Sequence, residues 1–363
     1  MTAQPSTSNL RILTTGESWF DGVSRACTTA FRRFGCDVAE VNIDNFMPQW
    51  RHRSSRAVAR LMMPIARREY NEALIRLAEQ QRPAFFLAFK GAFVEAEPLR
   101  RMRALGIKLY NYYPDTSAFT HGPYLPQALP EYDCTFHTKP FWDGDVRKHL
   151  KLRASVFLHH GYDSDLLQPW PLTAQDVADY HVDVSVIGSQ TRYKEEMVRD
   201  LLRLRPNLQL KIWGHRWETA TDPQVLAHWQ RDALTGQAYA RGLQAAKINL
   251  AITSGIVAGA SQGDYVTMRT FQIPACRGFM LHERNPEVQE LFTEGKEMAC
   301  YATVEELAEK IDYYLARPEE RKAIAEAGYR RCVPAYSYDN RMTKILEWHH
   351  AQSGTAGRAA VTD

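Results

Sequence analysis

At 363 residues the chain exceeds one ordinary domain, so two domains of roughly 150 residues each are the starting expectation. Its 45% hydrophobic and 24% charged residues are ordinary globular composition, and a net charge of +3 is too small to argue for nucleic acid as the main partner. The six cysteines are scattered, with no Cys-x-x-Cys pair or metal spacing, and read as reduced thiols.

The first ten residues lack a basic stretch followed by an apolar core, and no apolar run approaches the roughly 20 residues that cross a bilayer. The expectation is a soluble, cytoplasmic protein, with peripheral membrane contact left open. Residues 11–15 predict a strand, 16–22 a turn, and the apolar spacing over 23–34 a helix. Apolar runs at 36–43, 84–89, 107–112, 134–137 and 155–158 predict further strands between helical or turn-rich segments. Such alternation argues for a parallel sheet covered on both faces, with ligands beyond the C-terminal ends of its strands. That edge includes Gly16, Glu17, Lys90, Asp115 and His160.

Residues 51–68 form a basic helical run with interleaved apolar residues. A solvated helix face is the plain reading, and a contact with an acceptor or an anionic membrane surface is the sharper one. Asp-x-Asp patterns at 143–145 and 163–165 match what elsewhere holds Mg²⁺ against a diphosphate, but two such matches in loops are unsurprising and no metal is expected. Residues 157–169 end a strand at a Gly161 turn and run through aspartates to Pro169, which suits a hinge between two sheets.

A second alternation follows, with strands predicted at 182–187, 208–213, 248–252 and 278–281. Helices are predicted at 193–204, 304–316, 319–332 and 339–350, and 354–363 reads as a frayed tail. The most informative stretch is DYVTMRTFQIPACRGFML at 264–281. It places a polar cluster at a helix start, ends that helix at Gly278 and leads into a strand. Helix N-termini suit phosphate oxygens, and Arg269 adds a guanidinium that grips the same oxygens in a fork. Gly188 and Ser189 with Arg192 form a second glycine turn entering a helix. Trp213 and Gly214 end a strand where a base can approach the backbone.

These segments carry a resemblance. The hinge, the strand and loop at 184–192, and residues 269–279 with 294–297, 305–307 and the helix of 318–332 resemble two-domain glycosyltransferases of the GT-B architecture. The resemblance is closest to the CgeB-like, spore-maturation-type family. It implies an α/β fold with two Rossmann-like domains whose parallel sheets face a central cleft. Residues 1–165 would bind the acceptor and 166–335 the nucleotide-sugar donor. A helix at 336–351 would cross back to the first domain, and 352–363 would be a flexible tail.

The implied activity moves a sugar from a nucleotide-diphosphate donor, a UDP-sugar by preference, to an acceptor, without cofactor or metal. The resemblance places Arg269 on the diphosphate, Asp264 on the donor sugar and Gln272 on the ribose, with Gly188, Ser189, Arg192, Trp213, Gly214 and Thr267 as further donor contacts. The family usually has Glu at the position of Gln272. A glutamine accepts a ribose hydroxyl through its carbonyl, without the charge assistance that strengthens such a bond. The eight-residue offset between Asp264 and Gln272 implies retention of anomeric configuration, and an inverting route with Asp115 as general base stays open. Gly16, Glu17, Lys90, His121 and His160 are expected on the acceptor or sugar side. Two other readings are a catalytically degenerate nucleotide-sugar-binding or assembly protein, and a nucleotide-sugar epimerase on the same fold.

Overall fold

The computed structural model describes residues 9–17, 22–47 and 55–359. The chain divides into two compact units. One comprises Met1–His159, Val257–Ser261 and Tyr338–Asp363, and the other His160–Ile256 and Gln262–Ser337.

The first unit is built on a six-stranded parallel sheet: β1 (Arg11–Gly16), β2 (Asp37–Asn42), β3 (Phe85–Phe89), β4 (Lys108–Tyr113), β5 (Cys134–His137) and β6 (Ser155–Phe157), in the order β2-β1-β3-β4-β5-β6. Its central strand β3 reads as a continuous apolar run because both faces are covered. Along β3, Phe86 and Ala88 enter one core, with Leu13, Tyr70 and Leu74. Phe85, Leu87 and Phe89 enter the other, with Ile12, Phe31 and Tyr110. Tyr338, Met342, Ile345 and Leu346 of the last helix, Tyr338–Ala359, complete this second core beside the Val23–Arg33 helix. Arg33 Nε donates to Asp339 Oδ1 at 2.9 Å at the edge of that contact. The last helix is longer than its apolar pattern suggests: it continues past Gly354 to Ala359, where the sequence reads as a tail.

The second unit carries a five-stranded parallel sheet: β7 (Val182–Ile187), β8 (Leu210–Trp213), β9 (Ala246–Ala251), β10 (Met280–Glu283) and β11 (Ala299–Tyr301), in the order β11-β10-β9-β7-β8. Again alternate residues part to opposite faces. Val184, Val186, Ile248, Leu250 and Leu281 join the helices Arg192–Leu204 and Val304–Leu315. Ile187, Ala251 and Met280 join the helices Gly236–Ala245 and Arg269–Ala275. The edge strand β11 has only three residues, too short for its apolar content to stand out in the sequence. Tyr162, directly after Gly161, donates its backbone N–H to Tyr336 O at 3.1 Å and bridges Ser337 in parallel.

The sheets place the predicted residues at strand ends because a parallel strand must hand its chain to a crossover at its C-terminal edge. Gly16 closes β1, Lys90 follows β3, Asp115 lies two residues beyond β4, and Gly188 and Gly214 follow β7 and β8 directly.

Candidate nucleotide-binding site

In the second unit the turns after β7 and β8 run side by side. Gly188 N donates to Trp213 O at 2.9 Å, and Gln190 N to His215 O at 2.9 Å. Both glycines have positive φ, +148° at Gly188 and +143° at Gly214. Neither tolerates a side chain: a Cβ on Gly214 would strike the Gly188 carbonyl, and one on Gly188 would begin 2.5 Å from Arg269 Nη1. Trp217 Nε1 holds that same Gly188 carbonyl at 2.9 Å.

Arg269 begins the helix Arg269–Ala275, and its guanidinium lies against the Gly188 turn, steadied by Nη2 donating to Ile252 O at 2.9 Å. Beneath the helix start, Thr270 Oγ1 is 3.0 Å from Nε2 of His282, which is fully buried and held by burial to about 4. Thr267 N donates to Thr270 Oγ1 at 3.3 Å, so this threonine pair fixes the turn that aims Arg269.

A second cation joins the first. Lys194 is 5% exposed, and its Nζ donates to Ser189 O at 3.0 Å. Burial, with Arg269 nearby, pulls its ammonium down to about 7, and Asp264 partly opposes that shift. Neither Arg269 nor Lys194 has an ion-pair partner among the described residues. Two cations in one partly desolvated corner repel each other, and the arrangement favours an anion between or beside them.

The site corrects part of the expectation. Arg192 is not in this corner: its side chain is 91% exposed and pairs with Glu196 at 2.9 Å, one helical turn on. Residues two apart on a helix lie on different faces, so Lys194 points inward where Arg192 points out. The Trp213 side chain is core, packed beside Tyr180 and Leu243. Gln272 is half-buried on the helix after Arg269, but its Oε1 already accepts from the Tyr239 hydroxyl at 3.0 Å. Asp264 bridges Ser254 through the backbone, and its carboxylate lies within electrostatic reach of Lys194.

In the first unit, three predicted residues meet. Asp115 Oδ2 lies 2.9 Å from Lys90 Nζ and 2.8 Å from His121 Nε2. Burial alone would raise the Asp115 carboxyl, but the bonds to His121 and Lys90 more than reverse it and hold it well below the usual carboxylate range. Such a group is a weak base, which tells against Asp115 as the proton acceptor of an inverting reaction. Lys90 adopts φ 63° and is followed by Gly91 at 74°, a tight turn that swings the lysine toward Asp115. Gly16 is buried against Ser24 and Phe89, Glu17 is exposed, and His160 is 5% exposed.

The Asp-x-Asp patterns are engaged otherwise. Asp143 pairs with Arg147 at 2.7 Å, and Asp145 pairs with Lys148 at 2.9 Å and accepts from Ser261 N at 2.7 Å. Asp163 accepts from Asp165 N at 2.9 Å. No described helix is long and apolar enough to cross a membrane.

Residues 190–347 match the family described as glycosyl transferase-like. Over 85 residues the chain is 33% identical to the spore protein CgeB of Bacillus subtilis (strain 168), a match that spans 23% of this chain and 25% of CgeB. Among solved structures it is similar to a sucrose-phosphate synthase from Thermosynechococcus elongatus, with TM-score 0.66 and 13% identity over 96% of this chain and all of that one. It is also similar to Anabaena HepE, solved with UDP and glucose, with TM-score 0.63 and 10% identity over 94% of this chain and 100% of that one. At these identities the structural likeness is one of fold. Residues 190–347 thus match a glycosyl transferase-like family and a stretch of 85 residues is similar to CgeB, in a chain of the GT-B fold.

Proposed function

We propose that the protein is a glycosyltransferase that takes its sugar from a nucleotide-diphosphate donor, with UDP as the carrier. One observation carries the reading: Arg269 and the buried Lys194 converge on the Gly188–Ser189 turn, and neither forms an ion pair among the described residues, with Asp264 only within electrostatic reach of Lys194. A diphosphate supplies the missing negative charge. Arg269 keeps guanidinium donors for its oxygens after the bond to Ile252 O, and Lys194 adds a point charge. As the glycosidic bond breaks, charge grows on the leaving phosphate oxygen, and fixed cations stabilise that charge more than the ground state. The same two cations do for the diphosphate what a divalent ion does in other architectures, so the proposed transfer proceeds without one. UDP bound to HepE, on the same fold, supports the choice of carrier.

Gln272 is assigned to the ribose and Asp264 to the donor sugar, and their spacing supports retention of anomeric configuration. Thr267 orders the Arg269 turn. Acceptor contacts are assigned to the first unit, at the strand ends where Lys90, Asp115 and His121 meet.

Titration of the whole chain with UDP and with uridine tests the reading. Arg269→Ala and Lys194→Met should each weaken UDP far more than uridine. Equal losses for both ligands would remove the diphosphate assignment. Mass spectrometry of a UDP-sugar panel, with and without acceptors, then separates transfer from the alternatives. Donor bound but never consumed would favour a binding protein, and donor converted to its epimer without acceptor would favour an epimerase.

A further inference from the structure

The helix Ser55–Gln81 has two halves with different surroundings. From Ala66 onward it is ordinary: Ala66, Tyr70, Leu74 and Ala78 are buried at a four-residue interval. Before that, Val58, Leu61, Met62 and Ile65 stand at 63%, 78%, 44% and 42% exposure. Their spacing is i, i+3, i+4, i+7, which lines up one apolar stripe along a helix. Four large apolar side chains in a row facing water are not the scattered single exposures of an ordinary surface. Pro64, inside this stretch, removes the hydrogen bond that the Arg60 carbonyl would accept and leaves that carbonyl for water or a polar surface.

Charge identifies what such a stripe fits. Residues 55–68 contain four arginines and no acidic residue. Arg67 is turned inward to Glu95 and over the Tyr124 ring, and Arg68 sits 3.7 Å from Glu72, while Arg60 is exposed beside the stripe. A protein partner would have to supply an apolar groove and acidic residues in register with both features. An anionic lipid surface supplies both at once, because apolar side chains enter the acyl boundary while arginines stay at the headgroups.

We infer that the N-terminal half of this helix is a peripheral docking surface for anionic membranes, distinct from the nucleotide site. It lies in the first unit, so a lipid-borne or membrane-proximal acceptor would be held near the unit assigned to acceptor binding.

The test is co-flotation of the full chain with vesicles of phosphatidylcholine alone and with vesicles carrying about 30 mol % phosphatidylglycerol. The chain should float only with the anionic vesicles. Leu61→Ser/Ile65→Ser should reduce flotation roughly tenfold, and Arg60→Gln should reduce it less and make it less sensitive to salt. UDP binding of each variant, unchanged, shows that the protein is folded. No flotation with anionic vesicles, or flotation indifferent to Leu61→Ser/Ile65→Ser, overturns the inference. So does concentration-dependent dimerisation without lipid that the same pair of substitutions abolishes, since the stripe would then be occupied by a second copy.

Discussion

Arg269 and Gly188 share one space: the guanidinium Nη1 lies 2.5 Å from where a Cβ on residue 188 would begin. The arginine therefore reaches the β7 turn only because that position is glycine. Gly188→Ala meets two penalties, a φ of +148° that side-chain-bearing residues rarely adopt and the collision itself. We expect a stability loss of about 1–3 kcal/mol and a lower melting temperature in scanning calorimetry. UDP affinity should drop by roughly tenfold or more as the guanidinium is displaced, with uridine affinity changing much less. Unaltered UDP binding in this variant would mean that Arg269 is not a phosphate contact.

Lys194 makes the site sensitive to pH. Burial and Arg269 set its folded value at about 7, against an ordinary 10.5 in the unfolded chain. Between these values the unfolded chain holds a proton that the folded one has released. Stability relative to Lys194→Met should accordingly rise with pH across that window, because the cost of burying the cation is progressively relieved. A bound diphosphate reverses the balance by favouring the charged ammonium. UDP binding at pH 8 should take up protons in the wild type, and affinity should weaken as pH climbs through about 7 and beyond. Calorimetric titration in two buffers of different ionisation enthalpy measures the uptake, which Lys194→Met should lose.

Most of the fold was legible because buried parallel strands write themselves as apolar runs; β3, with all five residues buried, is the plainest case. The glycine turns were legible for a related reason, since only glycine serves at the φ of Gly188 and Gly214. Lys194 was readable too, although its charge disguised it. It lies at i of an i, i+4, i+7 row with the buried Val198 and Leu201, which places it on the inward face of the Arg192–Leu204 helix. Arg192 resembles a phosphate ligand by type, yet it falls off that row. By contrast, no local pattern links Tyr239 to Gln272 or Lys90 to Asp115, because each pair is made by two different crossovers arriving at one sheet edge.

Tyr239 and Gln272 give a test that separates the two ends of the nucleotide. With Oε1 engaged by the tyrosine hydroxyl at 3.0 Å, the amide nitrogen is the atom left to face a ribose. Gln272→Glu keeps an acceptor for Tyr239 and replaces that nitrogen with a second, charged acceptor suited to ribose hydroxyls. UDP and uridine affinity should hold or improve together. Tyr239→Phe removes one orienting hydrogen bond, worth about 1 kcal/mol, and should weaken both ligands by roughly fivefold. A loss confined to UDP would place Gln272 at the phosphates instead.

Asp115 makes the fold sensitive to acid. Its carboxyl is held below its ordinary 3.8 by His121 and Lys90 despite the opposing effect of burial. A depressed carboxyl stabilises the fold fully above the unfolded value and loses that contribution as pH falls toward the folded one. The side chain is 38% exposed, so solvent screening keeps the gap between wild type and Asp115→Asn to about 1 kcal/mol near neutrality. Urea unfolding should show that gap closing as pH drops below about 4, and a constant gap would mean that the ion pairs do not hold in solution. The same depression bears on mechanism. A carboxylate ionised throughout the working range cannot produce an acid limb in the rate profile above about pH 4, so any such limb must survive Asp115→Asn and belong to another group.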